Sequence, residues 1–279
     1  MIARRAAVLG SPVAHSLSPL LHATAYDLLG LSGWTYEAYD VGAPGLAGFL
    51  DGLDEFWAGL SLTMPLKSAV LPLLDDASDL VREVGGANTV LLGPAGRRGE
   101  NTDVPGLVAA LGERGIVTVE AACVLGGGAT AAAALAALQS LGESSAEVLV
   151  RDMGRTEALR EAAGRLGVQP VVAEWSEAAV GAVASCDLVI STTPPGSTDA
   201  LAQRLPDRVA GVLFDVVYDP WPTRLAVAWE QRGGAVIGGL DLLVHQAVLQ
   251  VALMMGEVLD VPPLVSALRA AGRRALRAS

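Results

Sequence analysis

The chain is predicted to be an α/β protein built as two α/β domains, the second of them a doubly wound Rossmann-type domain. Three observations predict this. Short apolar runs alternate with stretches at helical spacing along most of the 279 residues, the pattern of sheets covered by helices. Glycine is abundant (32) and aromatic residues are scarce (4%), which suits tight strand-to-helix turns and close backbone packing. The triplet Gly126-Gly127-Gly128 sits between an apolar strand pattern and an alanine-rich helix pattern.

Taken in order, Arg5 to Gly10 reads as a strand ending on a glycine. Ser18-Pro19 reads as a helix start, with a hydroxyl at the N-cap and proline behind it, and Gly30 stops that helix. Trp34 to Val41 alternates like a strand, and Leu46 to Leu53 reads as a short helix. Leu60 and Leu62 alternate with small residues, which predicts the end of a half-buried strand. Met64-Pro65 then breaks it, because proline lacks the N–H that a ladder needs. Helical material to Glu83 is followed by a strand, Thr89 to Leu92, and by a glycine- and arginine-rich turn, Gly93 to Gly99. Beyond Asp103 come helix Gly106 to Arg114, strand Ala121 to Leu125, helix Thr130 to Leu141, strand Glu147 to Val150 and helix Thr156 to Leu166. Strands Pro170 to Ala173, Asp187 to Ser191, Val212 to Val216 and Ala235 to Ile237 follow, and then helices Leu240 to Leu259 and Pro263 to Arg277. The expected division is residues 1–103, completed by 240–279, and residues 104–239.

Composition narrows the function classes. A net charge of −11 and a pI near 4.7 argue against nucleic acid and anionic membrane surfaces, which need a basic footprint. Cys123 and Cys186 lie far apart in apolar surroundings and form neither a disulfide framework nor a metal-ligand cluster, so a reducing cytoplasm is expected. Met1 to Gly10 holds no apolar run of signal-peptide length. The long uncharged stretch Ala121 to Gly142 is interrupted by the glycine triplet and reads as a buried strand and helix, not a membrane span.

Two stretches carry candidate chemistry. Leu125-Gly126-Gly127-Gly128-Ala129-Thr130-Ala131 fits a strand end, G-x-G-x-x-A and a helix start. Gly126 allows the tight turn, Gly128 allows a pyrophosphate close to the backbone, and Ala131 lets the helix pack on the sheet. The next strand ends at Val150-Arg151-Asp152, with Arg155 behind it. An acidic residue there suits the ribose hydroxyl of NAD, and arginines suit the extra phosphate of NADP. In Gly59 to Lys67, a strand stops at a loop opening a helix, which would project Thr63 and Lys67 into a crevice where α/β proteins place ligands.

Taken together, these stretches resemble the shikimate dehydrogenase family. Gly10 to His22 is similar to its substrate loop and Gly59 to Lys67 to its lysine loop. Gly85-Gly86-Ala87-Asn88-Thr89 and Asn101-Thr102-Asp103 are similar to its two asparagine-threonine segments. Ser191 to Gly196, Asp215 to Pro220 and Leu243 to Ala247 follow in family order. The resemblance implies an N-terminal substrate domain, a nucleotide domain, and reversible NADP-linked reduction of 3-dehydroshikimate to shikimate, a step of aromatic amino-acid (chorismate) biosynthesis. It implies a catalytic pair, Lys67 and Asp103, and substrate contacts from Ser16, Ser18, Thr63, Asn88, Asp103 and Gln246; Tyr218 reads as a further substrate contact or as a packed tyrosine. At the cofactor it implies Gly126, Gly127, Gly128, Ala129, Arg151, Arg155, Thr192 and Gly239. The partner is a small molecule alone, bound by a monomer or homodimer, with no metal.

The residue types make chemical sense for such a reaction. A polyhydroxy acid needs hydroxyl and amide groups that donate and accept, and a ketone reduced by hydride needs a proton on its oxygen, which an ammonium can supply. The sequence departs from the family where Ser61 and Ala23 stand for asparagines, where Asp241 and Leu242 stand for glycine and methionine, and where Asp152 stands between the arginines. Asp152 keeps open a quinate/shikimate dehydrogenase using NAD, and a sensor that binds without turnover is the alternative of another class. His15 and His22 read as structural.

Overall fold

The sheet strands follow from short β-rich runs and the helices from the segments that cover them. A computed structural model describes residues 3–278. In chain order the elements begin with β1 (Arg4–Gly10), α1 (Ser18–Leu28), β2 (Trp34–Asp40), α2 (Leu46–Asp51), β3 (Trp57–Leu62) and α3 (Leu66–Ala69). Then come β4 (Asp76–Ala77), α4 (Asp79–Val84), β5 (Thr89–Gly93), β6 (Gly96–Glu100) and α5 (Asp103–Gly112). They continue with β7 (Ala122–Leu125), α6 (Ala129–Ser140), β8 (Glu147–Val150), α7 (Glu157–Leu166), β9 (Val171–Glu174) and α8 (Glu177–Ser185). The rest are β10 (Leu188–Ser191), α9 (Asp199–Arg204), β11 (Val212–Asp215), α10 (Arg224–Gln231), β12 (Ala235–Gly238), α11 (Gly239–Met255) and α12 (Val261–Ala278). The chain divides into two units, one of Met1–Gly106 with Leu243–Ser279 and one of Leu107–Leu242.

The first unit holds a mixed sheet in the order β2-β1-β3-β5-β6-β4. β1 pairs in parallel with β2 and β3, whereas β5 runs antiparallel to both β3 and β6. The arginine-rich segment expected as a turn is therefore mostly strand, with only Pro94 and Ala95 in the turn. Arg97 and Arg98 stand in β6, paired with Asp51, Asp76 and Glu100 at the sheet's outer side, which is how a charged run can still form a strand. Every residue of β3 is buried, where alternation led us to expect a half-buried strand. The cause is that β3 is central, with Leu60 and Leu62 in a core with Leu9, Leu46, Leu66 and Val90, and Ser61 among polar partners on the opposite face. α1 also starts differently from expectation. Its N-cap is Leu17 without a side-chain cap, and the Ser16 hydroxyl accepts from the Ser18 N–H at 3.2 Å.

The second unit is a parallel sheet in the order β12-β11-β10-β7-β8-β9, the two βαβαβ halves of a Rossmann fold meeting at β7 and β10. Its core gathers Cys123, Leu125, Val189, Leu213 and Trp229. The stretch weighed against a membrane span is β7 and α6, and Ala131 to Leu138 of α6 are all buried. Among the described residues no helix is long and apolar enough to cross a membrane. Helices α8, α9 and α10 were not expected from the sequence. α8 and α10 start at Ser176 and Thr223, whose hydroxyls accept from the N–H groups of Ala179 and Ala226.

Candidate active site

Strand direction decides what gathers in the first unit. β1 and β3 are parallel, so the Ser16–Ser18 loop and the Thr63–Lys67 loop leave the same end of the sheet. Because β5 is antiparallel to β3, the start of β5 returns to that end, with Thr89 opposite Ser61. β6 is antiparallel to β5, so its far end, Glu100 opposite Thr89, comes back again and delivers Asn101 to Asp103. The hairpin is what brings Asn88 and Asp103 together. The two loops also touch closely: a Cβ on Gly10 would collide with Thr63 Cγ2, so only glycine lets the Thr63 loop approach.

Lys67 is the chain's only lysine. Its Nζ donates to Asp103 Oδ2 at 2.5 Å, with side-chain exposures of 16% and 6%. Asp103 lies in the first turn of α5, whose N-terminal N–H groups favour a negative charge. Asn101 fixes that turn, its Oδ1 accepting from the N–H groups of Asp103 and Val104 at 3.0 and 3.3 Å, and its Nδ2 donating to the Gly86 carbonyl. Asp103 Oδ1 accepts from Asn88 Nδ2 at 2.8 Å, so each carboxylate oxygen has its own donor. Asn88 Nδ2 faces two further acceptors, Thr102 Oγ1 and Gln246 Oε1, at 2.9 and 3.1 Å. With two protons for three acceptors, it serves only two of them at a time, so a bound hydroxyl can take the place of one. The structure thus joins Lys67, Asp103, Asn88 and Gln246 directly. Ser16, Ser18 and Thr63 lie on the loops at the same sheet end, Ser18 buried and the other two half-buried.

Several participants were given no role in the site from the sequence. Thr102 holds the Asn88 side chain with both its backbone N–H and its hydroxyl. Gln250 spans the back of the site, its Nε2 donating to Asn88 O and Thr89 Oγ1 at 3.2 and 3.1 Å. Its position four residues after Gln246 puts both on one face of α11, which is the signal that could have found it. Ser61 accepts from the Tyr36 hydroxyl at 2.7 Å and donates to Gln250 Oε1 at 2.8 Å. His22, which the sequence suggested was structural, is fully buried and stacked on Tyr36 at 3.8 Å. Burial lowers its pKa to about 4, partly opposed by its contact with the Ser18 carbonyl.

The second unit presents the glycine turn. Gly126 adopts φ +118°, and a Cβ there would meet Thr192 Oγ1 at 2.5 Å. Thr192 is held in turn by the Leu125 carbonyl, to which its hydroxyl donates at 2.9 Å. Gly128 is the N-cap of α6 with no side-chain cap, and a Cβ there would meet nothing within 4 Å. The helix end above Ala129 is therefore uncapped and unobstructed, which fits a pyrophosphate. Beyond β8, the Asp152 carboxylate accepts from Gly154 N–H at 2.9 Å and caps the short turn Met153–Arg155. Among the described residues no side chain engages the guanidinium groups of Arg151 or Arg155. Tyr218 is half-buried past the end of β11, and Gly239 opens α11, where a Cβ would collide with the Val216 carbonyl. No His/Cys/Asp/Glu group able to hold a metal occurs among the described residues.

Comparison with known proteins points to one family. The family model for the shikimate dehydrogenase substrate binding domain matches residues 8–90. A shikimate dehydrogenase (NADP(+)) of Thermus thermophilus is 38% identical over 277 residues, 98% of either chain. The crystal structure of Mycobacterium tuberculosis shikimate dehydrogenase matches with a TM-score of 0.83 at 39% identity, covering 99% of this chain and 100% of its own. A Thermus thermophilus shikimate 5-dehydrogenase structure in complex with NADP(H) and shikimate matches with a TM-score of 0.82 at 36% identity, covering 98% and 100%.

Proposed function

The chain belongs to the shikimate dehydrogenase family, and we propose that it catalyses the reversible NADP-linked reduction of 3-dehydroshikimate to shikimate. The observation that carries this reading is the Lys67–Asp103 pair at 2.5 Å, locked by Asn88 beside Gln246. NADPH, when bound, supplies the hydride. The Lys67 ammonium donates a proton to the ketone oxygen as charge develops there, and takes it back in the reverse direction. Asp103 holds that ammonium in place and accepts from a ring hydroxyl. Thr63, Asn88 and Gln246 hold the other hydroxyls, Ser16 and Ser18 hold the carboxylate, and Tyr218 would add a further contact.

The cofactor would lie on the uncapped end of α6, over Gly126, Gly127, Gly128 and Ala129, with Thr192 and Gly239 lining its path. Arg151 and Arg155 would take the 2′-phosphate as charge-assisted donors. Asp152, turned onto its own backbone, supports NADP over NAD. The two free thiols, both buried, suit a reducing cytoplasm, and the enzyme would act there as a monomer or homodimer.

A spectrophotometric assay offering shikimate and quinate, each with NADP and NAD, tests this. The expected result is the highest kcat/KM with shikimate and NADP. Preference for NAD would favour a quinate/shikimate dehydrogenase, and binding without turnover would favour a sensor.

A further inference from the structure

We propose that Tyr36 is a positioning residue for this reaction, its ring and its hydroxyl joining the loop that would hold the substrate carboxylate to the wall that orients Lys67 and Asp103. The inference rests on the function proposed above. Tyr36 stands on β2, two strands from β3, and reaches the site in two directions.

Through its ring it stacks on His22, with centroids 3.8 Å apart and planes 15° from parallel. His22 Nδ1 lies 2.9 Å from the Ser18 carbonyl, one helical turn earlier on α1. A carbonyl only accepts, so Nδ1 carries the proton and ties the ring to the Ser18 turn. Through its hydroxyl, Tyr36 donates to Ser61, Ser61 donates to Gln250, and Gln250 donates to the Asn88 carbonyl and to Thr89 Oγ1. Thr89 donates in turn to Asn88 Oδ1 at 2.9 Å, and Asn88 Nδ2 holds Asp103.

The links are shielded from bulk solvent. Tyr36 is 9% exposed, and Ser61, Gln250, Thr89 and Asn88 are at 4%, 1%, 0% and 1%. Burial also keeps the Tyr36 phenol protonated throughout the working range, so it acts as a fixed donor. Ser61 stands where the family resemblance expects an asparagine, and its short side chain meets both the Tyr36 hydroxyl and Gln250.

Tyr36→Phe tests the hydroxyl alone, because the phenyl ring still covers His22 and the Ser18 turn. Turnover of shikimate with NADP is measured for the wild type, Tyr36→Phe, Ser61→Ala and the double variant, with thermal unfolding and calorimetric NADP affinity alongside. Loosening Asn88 and Asp103 should lower kcat roughly 5- to 20-fold in Tyr36→Phe, a cost typical of small misplacements at a reacting centre. KM for shikimate should change less than kcat, since its direct partners remain and only Ser18 loses a neighbouring hydroxyl in Tyr36. The links act in series, so the double variant should match Ser61→Ala alone within about twofold. Unchanged kcat in Tyr36→Phe, or losses that multiply in the double variant, would overturn the proposal. So would loss of folding or of NADP affinity, which would make Tyr36 a packing residue. A wild type that does not turn over shikimate would overturn the proposed function and this inference with it.

Discussion

Lys67 and Asp103 form an ion pair almost removed from water, so changing either member is both a chemical and an electrostatic perturbation. Lys67→Met removes the proton donor, and kcat should fall by about 10²–10⁴, the usual reach of general acid–base catalysis. Affinity for shikimate should fall far less, because Ser16, Ser18, Thr63, Asn88 and Gln246 are untouched. Folding should survive, since Asp103 keeps the Asn88 amide and the N-terminus of α5. Asp103→Asn should lower kcat and affinity together, as that carboxylate both orients the ammonium and accepts from the substrate. Calorimetric binding beside turnover separates the two variants, and normal turnover in Lys67→Met would remove it from the mechanism. The residues of this pair were legible in the sequence because they sit in recognisable segments. Tyr36 and Gln250 were not, and Ser61 was legible only as a departure from the family, because their meeting depends on strand register and on Gln250, 189 positions beyond Ser61. Nothing local in a tyrosine at an alternating strand position marks it as part of a site.

At the level of elements, the turns after β7 and β8 show what a sequence motif contains and what it omits. The glycine spacing placed β7, the turn and α6 correctly, because Gly126 at φ +118° is a backbone demand written directly in residue type. β5 was expected, but its partner β6 was missed because Arg97 and Arg98 read as a loop until their ion pairs are seen. α8, α9 and α10 were missed because short helices give too few turns for a clear period. Asp152 is the ambiguous residue of the second turn, and structure gives it a local job on Gly154 N–H. Asp152→Asn keeps that acceptor and removes a negative charge beside two guanidinium groups. An exposed unit charge several ångströms away is worth about 1 kcal/mol, so NADP should bind about 3- to 10-fold tighter while NAD binding stays constant. Calorimetry with both nucleotides decides this, and weaker NAD binding at constant NADP affinity would show Asp152 holding the ribose instead.

Over the whole molecule, acid should weaken the fold through a group that carries no net charge at neutrality. His22 is fully buried, and its pKa falls from 6.5 to about 4 because burial penalises the imidazolium. Below about pH 6.5 the unfolded chain takes up a proton that the folded chain refuses until about pH 4, so stability must fall with pH across that window. One proton is worth about 1.4 kcal/mol per pH unit, which puts the full loss near 3 kcal/mol, a large part of a typical folding free energy. Asp215 works with the opposite sign. Burial raises its pKa against the Thr223 hydroxyl and the Val217 N–H that favour its charge, so its contribution is present in acid and is lost as pH rises through its folded pKa. The two oppose each other wherever their windows overlap, so the His22 part is read as the difference between the wild type and a His22 variant. Urea unfolding at about pH 7.5 and about pH 5 should therefore show roughly 2 kcal/mol lost in the wild type from this residue. In His22→Phe, which keeps an aromatic ring on Tyr36, that part of the pH slope should vanish, whatever the variant's absolute stability. An identical slope in both proteins would mean that His22 takes up its proton equally in the folded and unfolded states.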